Sequence, residues 1–411
     1  MWISCLSVSD QLGGSEAALL NMIAGLKTAR PGWDFQVIVP GSGPLKAHLE
    51  LAGARCSVVR MPAQLACLGE SAAIGARPGV GARLILGMRL CATATTLPGY
   101  EARLRRALAE FHPHILHTNG FKAHVLGARV RRPHERLVWH LHEYVSPRPV
   151  TRRLLQRYAG RCDAILANSA SVAADAQCMN ADARRMHVVH NAVDLERFSP
   201  SGSSLDLDAL AGLPPAPAGT IRIGLVAASG RWKGHDIFLD AIRALRPSRP
   251  TRGYIIGGAL YDTSGSQYSN AELRSMIDAR GLAGSVGLTG FLDAAYAMRS
   301  LEIVVHASVR PEPFGLVIAE AMAAGRPVIT TGEGGAAELV HGGVDAFVTP
   351  AGDAHALAAA MARLASDAAL RAAIGTRARA AAVARFGQSR MASQLSAVFE
   401  AVVREPLAES A

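Results

Sequence analysis

The run from Leu301 to Thr330 restricts the fold more tightly than any other part of the chain. Leu301-Glu302-Ile303-Val304-Val305-His306-Ala307 is short and apolar, and reads as a buried strand. A tight loop through Glu312, Pro313, Phe314 and Gly315 follows, and then an apolar helical segment that carries Glu320. Gly325-Arg326-Pro327 stops that helix, because glycine accepts the left-handed cap and proline cannot continue the helix. Val328-Ile329-Thr330 is the next strand, and the pair Gly334-Gly335 lies beyond it. Strand, loop, helix and strand in this order belong to a parallel α/β sheet.

The same alternation recurs along the chain. Strands are expected at Ile3–Val8, Phe35–Val39, Ser57–Arg60, Ile115–Thr118, Leu137–Glu143 and Cys162–Asn168, then at Ile221–Val226 and Tyr254–Gly258. Helices are expected at Ala17–Ala29, Glu101–Phe111, Asp236–Leu245 and Ala271–Arg280, and over the Ala-rich region Asp353–Arg385. Pro62–Tyr100 is the least regular part, read as helices with an amphipathic or apolar surface. Ser199–Thr220, with Ser201-Gly202-Ser203-Ser204 and Pro214-Pro215-Ala216-Pro217, has the composition of a linker, where a hinge would let two domains close on a ligand. The expected organisation is a first domain over 1–199, a linker over 200–220, a second domain over 221–385, and a C-terminal segment over 386–411. The 411 residues suffice for two or three domains with sizeable cores. Aromatics make up only 5%, so Ala, Val and Leu must fill those cores.

Several classes are disfavoured. The apolar region Met61–Tyr100 is broken by Glu70, Arg77, Arg83 and Arg89, so no membrane-spanning helix is expected. The opening Met1–Val8 lacks the basic start of a signal peptide and reads as a first strand. Cysteines 5, 56, 67, 91, 162 and 178 have no C-x-x-C spacing and fit small buried hydrophobes in a reducing cytoplasm. His112, His114 and His117 lie close together, but Pro113 and the strand context argue against a metal site. Charge is uneven: residues 1–195 hold 23 Lys+Arg against 13 Asp+Glu, while the remainder is balanced at 20 each. Clusters at Arg103, Arg105 and Arg106, at Arg129, Arg131 and Arg132, and at Arg152, Arg153, Arg157 and Arg161 fit either a solvated face or attraction to an anionic membrane or phosphate-bearing acceptor. No nucleic-acid motif or aromatic interleaving accompanies them.

Polar residues at strand ends are the candidate site. Glu312 sits at the mouth of its loop and Glu320 a turn or more into the helix that starts near Gly315. Taken alone they are a solvated loop charge and one polar residue on an apolar helix. Taken together they are two acceptors for vicinal hydroxyls flanking a helix N-terminus suited to phosphate. Arg231 and Lys233 alternate just after the strand Ile221–Val226, either as a basic surface loop or as two cations at the carboxyl end of a parallel strand. Lys233 is the only lysine after residue 195. Gly13-Gly14 makes a strand-to-helix turn where bare backbone can approach an anion. His140 and His142 point the same way if extended.

From Glu312 to Ile329 the chain reads E-P-F-G-L-V-x-x-E-A-M-A-x-G-x-P-V-I. This closely resembles the donor-site motif of the retaining glycosyltransferases of family 4. Gly13-Gly14, His142-Glu143 (with Glu where the family has Asp), Asn191-Ala192-Val193-Asp194 before Phe198 (with Ala192 where the family has Gly), Arg231-Trp232-Lys233-Gly234, and Val286–Phe291 correspond to further segments of that family. The resemblance spans nearly the whole chain and is strongest from Gly230 to Val348. It implies a GT-B fold, two Rossmann-like domains whose parallel sheets face a central cleft, with Phe386 to Val403 as the last helices, in a tail over 386–411 that crosses back to the first domain. It also implies transfer of a sugar from a nucleotide sugar with retention of configuration. Arg231 and Lys233 would then neutralise the donor diphosphate in place of a metal ion. Glu312 would hold sugar hydroxyls and Glu320 the ribose diol, while His142 contacts the sugar. Gly13 and Gly14, with the loop Pro313, Phe314, Gly315 and Leu316, would line the phosphates, and backbone near Phe291 the base. No cofactor is implied, and the leaving phosphate would itself take the acceptor proton. UDP- or GDP-sugars and a lipid-linked or saccharide acceptor are the implied partners, at the cytoplasmic face of the inner membrane. A GT-B sugar-nucleotide epimerase and a non-catalytic nucleotide-sugar-binding protein are the alternatives. A pyridoxal-phosphate phosphorylase would have to use Lys233, whose loop fits phosphate binding instead.

Overall fold

The structure is a computed structural model that describes residues 1–66, 80–245, 250–259 and 265–405. Contacts divide it into two compact units, Met1–Ala192 with the segment from Gln388 onward, and Val193–Gly387. The reading of Pro62–Tyr100 falls in part on residues 67–79, which lie outside the described residues, as do Cys67, Glu70 and Arg77.

The first unit is built on seven parallel strands: β1 Trp2–Ser7, β2 Asp34–Val39, β3 Arg55–Val58, β4 Ile115–Asn119, β5 Arg136–Leu141, β6 Ala164–Ala167 and β7 Met186–Val188. Their order is β3-β2-β1-β4-β5-β6-β7, and every neighbouring pair is parallel. β4, β5 and β6 are buried along their whole length, which is why they read as apolar runs without alternation. The expected strand at Ser57–Arg60 begins two residues earlier. The helix expected at Glu101–Phe111 is the end of Val80–Phe111, which carries Pro98 inside it. The last helix, Gln388–Arg404, packs on Gly14–Ala29 of this same unit. The approach is close: a Cβ on Gly25 would lie 2.9 Å from the Gln388 carbonyl oxygen, and the Gln388 amide donates to Asn21 at 2.8 Å.

The second unit carries six parallel strands: β8 Ile221–Val226, β9 Thr251–Ile256, β10 Val286–Gly290, β11 Ile303–His306, β12 Val328–Thr330 and β13 Phe347–Val348. Their order is β10-β9-β8-β11-β12-β13. Both sheets therefore reverse strand order once, between β1 and β4 and between β8 and β11. The linker-like segment packs on the second sheet. Leu207 is buried, and Asp208 accepts from Tyr254 and Arg252, both at 2.5 Å. The Ala-rich region is two helices, Ala354–Ser366 and Ala368–Arg385, divided at Asp367, whose carboxylate caps the second at Leu370 N. Among the described residues, no helix is long and apolar enough to cross a membrane.

Candidate active site

Ligands of open α/β sheets bind beyond the carboxyl ends of the strands where the order reverses. In the second unit that place lies beyond β8 and β11. β8 leads into the short turn Arg231–Lys233, and β11 into the loop that reaches Gly315. The two loops touch through backbone: Val309 N–H donates to the Trp232 carbonyl at 2.8 Å. Gly234, at φ +73°, leaves room for this, since a Cβ there would come within 1.9 Å of the Ala307 carbonyl oxygen.

That contact brings Lys233 to Glu312. The ammonium donates to both carboxylate oxygens, at 3.0 Å to Oε1 and 2.8 Å to Oε2. Glu312 is fixed through its backbone too, donating to the Glu333 carbonyl at 3.2 Å and accepting from Gly335 N–H at 2.7 Å. The Gly334-Gly335 pair thus anchors the loop. Oε2 also lies 3.2 Å from His306 Nε2 and accepts from the Ser308 hydroxyl at 3.0 Å. Burial pushes the Glu312 carboxyl up, but the Lys233 charge and the His306 bond outweigh it and hold it well below the usual carboxylate range. Glu312 is therefore an ionised acceptor at neutral pH, poorly suited to donating a proton.

Glu320 has the opposite character. It lies on the helix Leu316–Ala323, which begins after Gly315 at φ +87° and has no side-chain cap. Burial lifts its carboxyl to about 7; Arg197 pulls it down and Asp293 adds to the rise. The sign of the linkage is fixed by this. The folded value exceeds the ordinary 4.5, so the protonated form's contribution to stability is complete below about pH 4.5 and is lost as pH rises through 7. Glu320→Gln is expected to match the wild type near pH 4.5 and to melt higher than it above pH 7. Thermal melts across that range check this, and a gap that closes with rising pH would contradict it.

Arg231 is not in this cluster. Its guanidinium donates to Glu272 at 2.6 Å and to the Gly265 carbonyl at 3.1 Å, and lies 4.3 Å from the Tyr268 ring centroid. Glu272 closes a capping box with Ser269, so the helix Asn270–Ala279 presents the partner. Phe314 is buried, its ring edge-on to that of Phe386 at 6.1 Å, so its side chain belongs to the core. Pro313 and Leu316 are half-buried beside it. Phe291 is 59% exposed beyond β10, its ring against Gly258.

In the first unit, Gly13 caps the helix Gly14–Ala29 directly after β1, at the strand-order reversal of that sheet. The helix has no side-chain cap, and a Cβ on Gly14 would meet nothing within 4 Å. Buried Glu16 sits in the first turn and accepts from Ser15 Oγ at 3.0 Å; burial lifts its carboxyl. His142 follows β5, with its ring 4.1 Å from that of His140, which in turn lies 3.3 Å (Nδ1) from His117 Nε2. Burial lowers His142 to about 4, and among the described residues neither of its buried ring nitrogens has a hydrogen-bond partner. It is a neutral imidazole at physiological pH.

Sequence reasoning did not single out His306, Ser308, Thr330, Glu272 or Glu16 as site residues. For the first two a signal existed. His306 and Ser308 are two residues apart at the end of an extended run, a spacing that puts both side chains on one face. No local pattern links Glu272 to Arg231.

Comparison with known proteins bears on this geometry. Residues 12–197 match the family described as Glycosyltransferase Family 4, and residues 220–367 match that described as Glycosyl transferases group 1. The lipopolysaccharide core biosynthesis mannosyltransferase LpsB of Rhizobium meliloti is 31% identical over 247 residues, 59% of this chain and 67% of that protein. The D-inositol 3-phosphate glycosyltransferase of Streptomyces scabiei is 30% identical over 63% of this chain and 59% of its own length. Among solved structures, Anabaena HepE in complex with UDP and glucose superposes with a TM-score of 0.79 at 26% identity, over 98% of this chain and 100% of that one. Sucrose-phosphate synthase from Thermosynechococcus elongatus, at 19% identity, shares the fold with a TM-score of 0.74 over 98% of this chain and 99% of its own. Two parallel-sheet α/β domains of this kind define the GT-B class of glycosyltransferases. The chain belongs to glycosyltransferase family 4, within glycosyl transferases group 1.

Proposed function

We propose that this chain moves a sugar from a nucleoside-diphosphate sugar to a hydroxyl of a lipid-linked or saccharide acceptor, with retention of configuration and without a metal ion. The observation that carries this reading is the Lys233–Glu312 pair beyond β8 and β11. An ammonium offers three donors. Lys233 can hold Glu312 and still meet a phosphate oxygen, so charge developing on the leaving diphosphate meets a fixed cation. Arg231 adds a second cation on releasing Glu272. Glu312 accepts from sugar hydroxyls, and Glu320, when ionised, from the ribose diol. In the first unit Gly13 and Gly14 offer backbone to phosphate, and neutral His142 offers a ring nitrogen to the sugar. The sugar C1–O bond to the diphosphate breaks as the acceptor oxygen bonds C1 on the same face, and the acceptor proton passes to a phosphate oxygen.

The relatives support an acceptor of cell-surface type. LpsB is named for lipopolysaccharide core biosynthesis, and a Mycobacterium leprae relative is a phosphatidyl-myo-inositol mannosyltransferase, 32% identical over 49% of this chain and 52% of its own. HepE has been solved with UDP and with UDP-glucose, which favours a UDP-sugar over a GDP-sugar. The basic first half, with Arg153 and Arg157 beside exposed Val150 and Leu154 on the helix Pro149–Ala159, supports peripheral contact with an anionic membrane from the cytoplasm.

A thermal-shift screen of UDP-, GDP- and ADP-sugars tests the donor. A specific donor at a hundred times its Kd stabilises by about 2.7 kcal/mol. The selected donor is then turned over with and without anionic vesicles, and the product's anomeric configuration is read by NMR. Inversion would refute retention. A donor converted in the absence of any acceptor would favour the epimerase, and specific binding without turnover would favour a non-catalytic binder.

A further inference from the structure

We propose that His306 is a positioning residue for sugar transfer, which together with Ser308 locks the Glu312 carboxylate in the orientation that receives the sugar hydroxyls. The proposal rests on the reading of Glu312 as the sugar-holding group. His306 ends β11, only 5% exposed, and spans two fixed points. Its Nδ1 lies 3.1 Å from Thr330 Oγ1 on the paired strand β12, and its Nε2 lies 3.2 Å from Glu312 Oε2.

The hydrogen-bond chain assigns the tautomer. Ionised Glu312 can only accept, so the 3.2 Å contact places a ring proton on His306 Nε2, while Nδ1 lies against Thr330 Oγ1, which also accepts from Gly332 N–H at 3.3 Å. The ring proton therefore sits on Nε2 and points at Glu312. Ser308 Oγ, 99% buried, is 3.1 Å from Nε2 and donates to Glu312 Oε2 at 3.0 Å, completing a triangle around one oxygen.

Lys233 alone would not orient the carboxylate. Its ammonium is a point charge on a flexible stem and reaches both oxygens alike. His306 and Ser308 are seated at a buried strand end and both address Oε2. Lysine supplies charge; the histidine and serine supply direction. A hydroxyl-accepting group must be held to within a fraction of an ångström, and a displacement of about 1 Å can cost about 100-fold in rate.

The test uses the full chain and the donor selected above. His306→Ala is expected to lower kcat by about 10- to 100-fold while affinity for the bare UDP or GDP, measured by calorimetry, stays unchanged, because the nucleotide does not touch Glu312. His306→Gln, whose amide reaches the position of Nε2, should recover most of the loss. The double variant His306→Ala/Glu312→Ala should be no slower than Glu312→Ala alone, since an orienting group has nothing left to orient. Retained kcat in His306→Ala, parallel loss of kcat and nucleotide affinity, or additive losses in the double variant would each overturn the proposal. Should His306→Ala fail to fold, Ser308→Ala answers the same question through the same oxygen. The two readings fail separately. Full activity in Glu312→Ala, or no transfer by the wild type, removes the underlying function. Transfer that depends on Glu312 but not on His306 or Ser308 removes only the positioning role.

Discussion

Lys233→Ala is expected to lower turnover by roughly 100- to 1,000-fold, the loss typical of removing one preorganised group from a developing negative charge. The reason is geometric as well as electrostatic. Lys233 is the cation that β8 delivers to Glu312, and the pair is only 20% and 15% exposed. Removing it takes the cation from the Glu312 carboxylate and leaves the bonds with His306 and Ser308. Breaking a buried pair costs about 3–5 kcal/mol; partial exposure and the two remaining bonds bring the expected cost nearer 1–3 kcal/mol. The pH dependence has a definite sign. Glu312 has a depressed value in the folded wild type, so the stability it contributes is present above the ordinary carboxylate range and is lost as pH falls through the folded value. The stability deficit of Lys233→Ala should therefore be full at neutral pH and shrink below about pH 4.5. Lys233→Arg keeps the charge but not the point geometry, and should recover stability more than turnover. Measured kcat together with urea midpoints at two pH values decides the matter. Turnover of Lys233→Ala within a few-fold of wild type would sink the assignment.

Gly234→Ala carries the second large effect, here on stability and activity at once. At φ +73° an alanine pays about 1–2 kcal/mol for the left-handed backbone alone. Its Cβ would also lie 1.9 Å from the Ala307 carbonyl oxygen and 2.8 Å from the carbonyl carbon. These are backbone atoms, so no rotamer change relieves the contact, and the loops after β8 and β11 must part. A total loss of about 3 kcal/mol or more is expected, with activity falling because Lys233 is the adjacent residue. Gly212→Ala is the control: φ is +67° there, but nothing lies within 4 Å of the added carbon. Urea unfolding of both variants separates conformational strain from close approach. Equal costs would show that the loops are not in the contact described.

Much of the fold was legible because its causes are local. Apolar runs bounded by glycine or polar turns mark β4, β5, β8 and β11, and the stop at Gly325-Arg326-Pro327 ends a helix at the right place. Errors fell where the local signal was weak. β3 is half exposed and lacks a clear pattern, and the single helix Val80–Phe111, with Pro98 inside it, reads in sequence as helices within Pro62–Tyr100 and a separate one at Glu101–Phe111. In the site, the residue types were legible but several of their relations were not. Arg231 and Lys233 look equivalent in sequence, two residues apart after the same strand. In the structure one pairs with Glu272 and the other with Glu312. Glu312 and Glu320 look like a matched pair of carboxylates. Burial acts on both, but at Glu312 the Lys233 charge and the His306 bond outweigh it, whereas at Glu320 Arg197 only partly offsets it, so their protonation behaviour diverges.

By itself the sequence determined the alternation of strands and helices, the parallel sheets, and the placing of charged and glycine residues just beyond strand ends, because each depends on residues within a few positions of one another. Strand order it did not determine. That Lys233 meets Glu312, 79 residues away, follows from β8 lying beside β11 although β9 and β10 intervene in the chain. Side-by-side placement of strands is set by how the two sheet faces bury their apolar area against helices, a property of the whole unit. For the same reason His306, one polar residue at the end of a buried strand, acquires its partners only once β12 supplies Thr330 and the loop returns Glu312 to it.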